Sequence, residues 1–315
     1  MPNGSEFRVG ILKRSEIAEA DRIMRLAFGT FLGVPDPMQF MAGREFVRSR
    51  ARAKNTRVFA ARHGERLVGS CIATRWGAFG FFGPLTVLPE YWDRGVARRL
   101  LKATTAQFAR WGLRQTGLFT FAGSPKHVGL YQSFGYWPRS LTAIMTRAAG
   151  PKPEREPDRL SRLDRKDREA IIAAAAKLTF TIGEGLDLTE EIRSTLAHGT
   201  GDVVLDRRRG LLNGFAICLT GAGSEGGAKT CYVKFGAARG GKAAAQGFGR
   251  LLDGCEAYAA TQEATIEAGT NLARERAFRV MQDRRYRVTT LGVAMLRPNR
   301  EGFNRPDCWV IDDWR

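Results

Sequence analysis

FGFFGPLTVLPEYWDRGVARRLLKATTAQFARWG, residues 79–112, decides the architecture of this 315-residue chain. It opens with an apolar run, Phe79 to Val87, long enough for a strand, and a short turn follows over residues 89–94. A helical pattern comes next. Val96, Leu100, Leu101, Phe108 and Trp111 fall at helical spacing, and Gly112 is placed to end it. A strand that feeds a glycine turn into a helix N-terminus is a ready anion site. The first backbone N–H groups have no partner inside the helix, and the aligned peptide dipoles add partial positive charge. Gly95 lets the backbone approach a ligand closely and Ala97 keeps the next turn small, while Arg94, Arg98 and Arg99 supply cations suited to phosphate. The stretch reads as a pyrophosphate cradle.

Neither common mononucleotide loop is spelled here, because the turn carries no GxGxxG and no GKS or GKT. Trp92-Asp93-Arg94-Gly95-Val96-Ala97 resembles the acetyl-CoA loop of the GCN5-related N-acetyltransferase (GNAT) family. That pattern is Gln or Arg, two residues, Gly, one residue, then Gly or Ala. The preceding Val87-Leu88-Pro89-Glu90-Tyr91 is typical of the family; Trp92 departs from Gln or Arg at a position that largely lends its backbone N–H. A second element follows at family spacing. SPKHVGLYQSFGY, residues 124–136, resembles the family's last helix: Tyr131, Phe134, Gly135 and Tyr136 match, and Ser124 stands in place of Asn. Local chemistry agrees, since Ser124 is a good N-cap and Pro125 a good first helical residue. Residues 116–121 make the intervening strand, and the resemblance covers roughly residues 7–148.

Composition bounds the rest. The length suggests two domains, and 43% hydrophobic residues is ordinary for a globular protein. No charged leader with an apolar core and no 18-residue apolar run is present, so a soluble, cytoplasmic protein with no membrane partner is expected. Cys71, Cys218, Cys231, Cys255 and Cys308 are far apart, with no CxxC, and His63, His127 and His198 form no HExxH; reduced core thiols and no metal are expected. Lys and Arg exceed Asp and Glu by 50 to 32, a net charge of +18. That suits an anionic ligand such as CoA. The arginines are spread over almost every element instead of forming one stripe, which argues against a nucleic-acid partner.

In order, residues 7–12 read as a strand, and Ser15 caps a helix carrying Ile17, Ile23, Met24, Leu26 and Ala27. Residues 28–38 read as a loop broken by Gly33, Pro35 and Pro37, yet rich in Phe28, Phe31, Leu32 and Val34; it is either an acceptor wall or a domain contact. A helix is expected at 39–51, a hairpin at 56–62 and 66–76, and the strand Phe79 to Val87 extends the meander. The segment 149–159, AGPKPEREPDR, is a linker by its prolines and alternating charges. Beyond it the order repeats. Helices fall at 168–178 and 189–197, strands at 203–206, 211–219 and 230–236, and a glycine loop at 221–227. A helix at 243–260, a strand at 264–268, a helix at 271–283 and a strand at 288–296 complete the copy. The second turn, residues 237–242, does not spell the CoA signature.

The chain therefore resembles a tandem GNAT protein of the α/β class. Each half is expected to be a mixed, mainly antiparallel sheet flanked by helices, with a splayed central strand pair in the first. The divisions are an acetyl-CoA-binding domain at 1–148, the linker at 149–159, and a degenerate copy with its tail at 160–315. By resemblance, Leu85, Thr86 and Val87 offer backbone groups to the pantetheine arm and the acetyl oxygen. Trp92, Asp93, Arg94, Gly95, Val96, Ala97 and Arg98 form the pyrophosphate loop, and Ser124 and Tyr131 complete the cofactor site. Tyr131 is the family's usual acid toward the CoA sulfur; packing against the sheet is its alternative. His127, one turn earlier, reads first as a solvated helix residue, and otherwise as a group that tunes Tyr131 or touches CoA.

Acetyl transfer to an amine needs deprotonation of the amine, a donor for oxyanion charge, stabilisation of the leaving thiolate, and alignment. The splayed strand has no acid, and Glu90 lies past its end. The base is then water, Glu225, or a group of the apolar tail: Asp312, Asp313 or a terminal carboxylate. The expected activity is acetyl-CoA-dependent transfer of an acetyl group to a primary amine on a small molecule or peptide. The alternative is a non-catalytic CoA-binding or regulatory protein of the same fold.

Overall fold

The computed structural model describes residues 7–315. The first half runs β1 (Phe7–Ile11), α1 (Ile17–Phe31), α2 (Val47–Ala51), β2 (Thr56–His63), β3 (Arg66–Trp76), β4 (Phe79–Val87), α3 (Val96–Arg110), β5 (Gln115–Thr120), α4 (Pro125–Gln132) and β6 (Trp137–Arg147). The second half runs α5 (Arg165–Ile182), α6 (Thr189–His198), β7 (Gly201–Arg208), β8 (Leu211–Gly221), β9 (Gly227–Ala238), α7 (Ala244–Thr261), β10 (Thr265–Asn271), α8 (Glu275–Asp283) and β11 (Arg287–Arg297), with β12 (Trp309–Ile311) after it. Among the described residues no helix is long and apolar enough to cross a membrane.

Both halves belong to one sheet, ordered β1-β2-β3-β4-β5-β11-β6-β10-β9-β8-β7, with β12 pairing β9. Pairing crosses the proline-rich segment. β11 of the second half pairs β5 of the first, β6 of the first pairs β10 of the second, and β6 and β11 pair antiparallel between them. Each half thus lends its final strand to the other. Helix burial reinforces the join: Trp76, Phe79 and Phe81 share a core with Ile172, Leu178, Phe215 and Phe235. Trp76 meets Phe235 at 5.4 Å between ring centroids. A buried ionic chain crosses the same seam. Arg50 pairs with Glu225 at 2.6 Å, Glu225 with Lys234 at 2.8 Å, and Lys234 with Glu191 at 2.7 Å. Removing one member would strand a buried charge, so these groups fix how the halves meet.

Local readings change in the region 15–51. The helix expected from Ser15 begins at Ile17, after a 3₁₀ turn in which Glu16 accepts the Lys13 N–H at 2.7 Å. It continues through Phe31, so the expected loop at 28–38 starts as helix. The helix expected at 39–51 shrinks to a 3₁₀ turn, Pro37–Gln39, and the short α2. The cause is Arg25. Its guanidinium donates to the carbonyls of Phe40, Met41 and Arg44 at 2.8, 2.6 and 2.6 Å, and Met41 and Gly43 take left-handed φ. Carbonyls drawn to one buried arginine are not shared in a helical ladder. Similarly, α8 begins at Glu275 and not at 271, because Asn271 ends β10 and hydrogen-bonds Thr142 at 3.0 Å.

One feature of the sheet positions the site. β4 and β5 pair in parallel only from Phe79 to Phe81, against Gln115 to Gly117. Beyond Phe81 the two strands part, and the remaining length of β4 keeps only β3 as a partner.

Candidate active site

The gap between β4 and β5 opens into a cavity of about 450 Å³. Leu85, Thr86, Val87, Trp92, Asp93, Gly95, Val96, Ala97, Arg98 and Tyr131 line it together. Arg94 and Ser124 stand outside that lining. Arg94 lies over the Tyr91 ring at 5.3 Å, and the buried Ser124 hydroxyl caps α4 by accepting the His127 N–H. Sequence reasoning had not singled out Ala27, Lys126 or Leu130, which also line the cavity. Lys126 pairs with Asp93 at 2.6 Å, both largely exposed. Gly95 is the N-cap of α3 at φ 78°, and a Cβ there would meet no neighbour, so the turn is open toward the ligand side. The Trp92 indole donates to the Val87 carbonyl at 2.8 Å. An aromatic side chain thus ties the loop to the end of β4 at the position where the family pattern has Gln or Arg.

A second cavity, of about 230 Å³, adjoins the first. Both are lined by Phe28, Leu85, His127 and Tyr131, so these four residues mark the junction. The last turn of α1 and its C-cap therefore wall these cavities: Phe28 lines both, Phe31 the first and Leu32 the second.

Tyr131 is buried on α4, its ring edge-on to Phe82 at 5.6 Å. Burial pushes its pKa up, the nearby Cys71 thiol adds to this, and Thr120 partly opposes it. The phenol therefore stays protonated across the working range and is available as a hydrogen-bond donor. His127 is not a solvated helix residue. It is half-buried, with its ring 4.8 Å from that of Phe31. Burial first, and then the Lys126 charge, lower its pKa, so the imidazole is neutral near pH 7.

Three of the expected bases, Glu225, Asp312 and Asp313, fall elsewhere, whereas Arg315, at the end of the tail, lines the second cavity and its backbone oxygen accepts from Arg50. Glu225 lines neither cavity. Burial alone would raise its pKa, but the Arg50 and Lys234 charges outweigh this and hold it at about 2. Asp312 is buried against Arg274 at 2.8 Å and accepts the Trp314 indole N–H at 3.0 Å. Asp313 is buried and accepts the Tyr232 hydroxyl at 2.9 Å. Neither lines either of these two cavities. The tail does pack at the junction of the halves: Trp314 meets Phe79 at 4.9 Å and Phe303 at 5.7 Å, and Arg315 lines the second cavity. The carboxylate side chain that lines the second cavity is Glu267, which sequence reasoning missed. It is held by Arg315 at 2.6 Å and Arg44 at 2.8 Å. Burial raises its pKa, and the Arg315 and Arg44 charges more than reverse this, leaving it a poor proton acceptor.

The arrangement is a bent channel with cations and a helix N-terminus at one end and apolar walls at the other. A protonated phenol and a neutral imidazole stand at the bend. The family model described as the Acetyltransferase (GNAT) family matches residues 22–136. Among solved structures, a candidate acetyltransferase from Pyrococcus horikoshii superposes with TM-score 0.70 at 12% identity, over 99% of this chain and 96% of that one. A GCN5-related N-acetyltransferase from Sphaerobacter thermophilus gives 0.58 at 13% identity, over 93% and 96%. A tandem GNAT protein from the clavulanic acid biosynthesis pathway gives 0.57 at 12%, over 92% and 98%. At such identities the likeness is one of fold. Comparison by sequence with curated proteins finds no match.

Proposed function

We propose that this chain, whose residues 22–136 match the acetyltransferase (GNAT) family model, is an acetyl-CoA-dependent N-acetyltransferase acting on a primary amine. The observation that carries this reading is the junction itself: two cavities that meet at Tyr131 and His127, one of them walled by the Gly95 turn. The residues fit the cofactor. Past Phe81, β4 has no β5 partner, which leaves the outward backbone of Leu85 and Val87 for an extended pantetheine arm, the Val87 carbonyl being shared with the Trp92 indole, while the Thr86 backbone faces β3. The open face of Gly95 and the N-terminus of α3 suit a pyrophosphate. Acetyl-CoA, when bound, supplies the activated acyl carbon and a thiolate leaving group.

The side chains divide the proton work. His127 accepts a proton from the amine as its nitrogen bonds to the acyl carbon, and passes it to solvent at the channel. Tyr131 donates a hydrogen bond to the sulfur as the carbon–sulfur bond breaks. A thiol has an ordinary pKa of about 8.5, well below that of this phenol. Tyr131 therefore stabilises the thiolate by hydrogen bonding, and the sulfur takes its proton later. Thiol release from acetyl-CoA in the presence of amines tests the reading. Tyr131→Phe should lower kcat on the order of 100-fold, the usual scale for one such group, while acetyl-CoA binding stays unchanged. Binding without thiol release on any amine would leave a CoA-binding protein and refute transfer.

A further inference from the structure

The second cavity carries chemistry that narrows the acceptor. Its walls are aromatic. Phe28 stacks on Phe40 at 5.4 Å and meets Phe121 edge-on at 6.4 Å, and Phe82 and Phe119 also line the space. At about 230 Å³ it has room for one ring and a short chain. Among the described residues only two charged side chains line it, Glu267 and Arg315, and both are already matched. Two guanidiniums share the Glu267 carboxylate, at 2.6 and 2.8 Å. Arg315 in turn faces Asp313 at 3.3 Å and lies over the Tyr232 ring at 4.2 Å. A second ammonium on an acceptor would therefore find no unpaired side-chain carboxylate on these walls, and an acidic group would find no unpaired side-chain cation. Either charge would be stripped of water among phenyl rings without a partner in return.

Resting on the transferase reading above, we propose that the acceptor is a small monoamine: one primary amine on an aromatic or branched-alkyl body, with no second charge. The amine sits at the junction by His127 and the apolar body fills the ring of phenylalanines. Diamines, polycationic antibiotics and lysine side chains of peptides are excluded by the same walls.

Two measurements on the full chain test this. Calorimetry with 2-phenylethylamine on CoA-saturated protein should give saturable binding, and butane-1,4-diamine should give none. In turnover with acetyl-CoA, 2-phenylethylamine should exceed butane-1,4-diamine, an aminoglycoside and a lysine peptide in kcat/KM by at least about 50-fold, within the range that one apolar pocket discriminates. Leu32→Asp places a carboxylate on a half-exposed stretch of the wall. It should shrink or reverse that ratio, while Leu32→Met keeps it. Preference for a charged acceptor overturns the proposal while leaving transfer intact. Binding of 2-phenylethylamine without turnover supports the pocket chemistry and defeats the transferase reading. Absence of saturable binding overturns the proposal. So does a preference for octanoyl-CoA over acetyl-CoA with loss of amine binding, because the walls would then hold an acyl chain.

Discussion

The two halves of the sheet part in the same place and fill the parting differently. In the first half β4 leaves β5 after Phe81, and the gap stays open as the cavity beneath the Gly95 turn. In the second half β9 pairs β10 only from Thr230 to Val233, and beyond that β12 lies against β9, Trp309 opposite Ala238 and Ile311 opposite Gly236. Val310 also accepts from Thr270 and Arg274, and the Asp312 N–H reaches the Gly269 carbonyl at 2.9 Å. The backbone that a pantetheine arm would meet is satisfied by the chain's own strand. The chemistry has gone with the space. Tyr136 donates its N–H to the Tyr131 carbonyl, and Tyr286 does the same to Met281, so Met281 stands at the place of Tyr131 and Ala277 at that of His127. The cap of α7 is Ala243 at φ −96°, where α3 has Gly95 at φ 78°. One gap stays open and the other is closed by the chain itself.

The largest effect should come from the plug. Ile311 is fully buried, its side chain against Gly236. Ile311→Ala should cost about 2–5 kcal/mol by transfer and cavity terms, read as a lower urea midpoint. Acetyl-CoA affinity should stay within about twofold, since distant sites act independently. Weakened acetyl-CoA binding with stability unchanged would mean that β12 serves the ligand, which breaks the comparison. Next comes the open side. Gly95→Glu puts bulk and negative charge in the cradle and should weaken acetyl-CoA at least about 100-fold, removing the thermal shift that mass action gives the parent. Titration of the parent should return one site per chain; two equivalent sites would show that the second gap is not closed.

Much of this was legible locally. The apolar run of β4, the three-and-four spacing of α3 and the Ser124-Pro125 helix start are short-range signals, and they carried the cradle and Tyr131. What stayed hidden depends on pairing between distant residues. β6 and β11 are both strands of 11 residues, and nothing in either says which neighbour it takes. The tail was readable as apolar but not as the third partner of β9. Nothing local to Arg25 announces its grip on three carbonyls, which rewrote the segment after it. His127 looked solvated because its cover, Phe31, comes from the far end of α1.

The smallest predicted effect is a shift in pH dependence, and it tests His127 against its silent counterpart. The groups facing that imidazole are few. Lys126, paired with Asp93 at 2.6 Å, and Tyr131 lie on or against its own helix, while α1 lines the cavities with Met24, Ala27, Phe28, Phe31 and Leu32, none of which titrates. A base must be neutral to accept a proton. Because burial, then Lys126, lower the pKa of His127, kcat should hold near neutral pH and fall as pH drops through a value below that of ordinary imidazole. Removing a neighbouring cation makes the imidazolium easier to form, so Lys126→Met, measured at saturating acetyl-CoA, should move the fall to higher pH. High salt should mimic part of that move by screening the exposed Lys126. His127→Gln should lower kcat and abolish the fall altogether, because the group that must be neutral is then gone. A fall that persists unchanged in His127→Gln would assign it to another group and leave the amine to reach the junction already deprotonated by water.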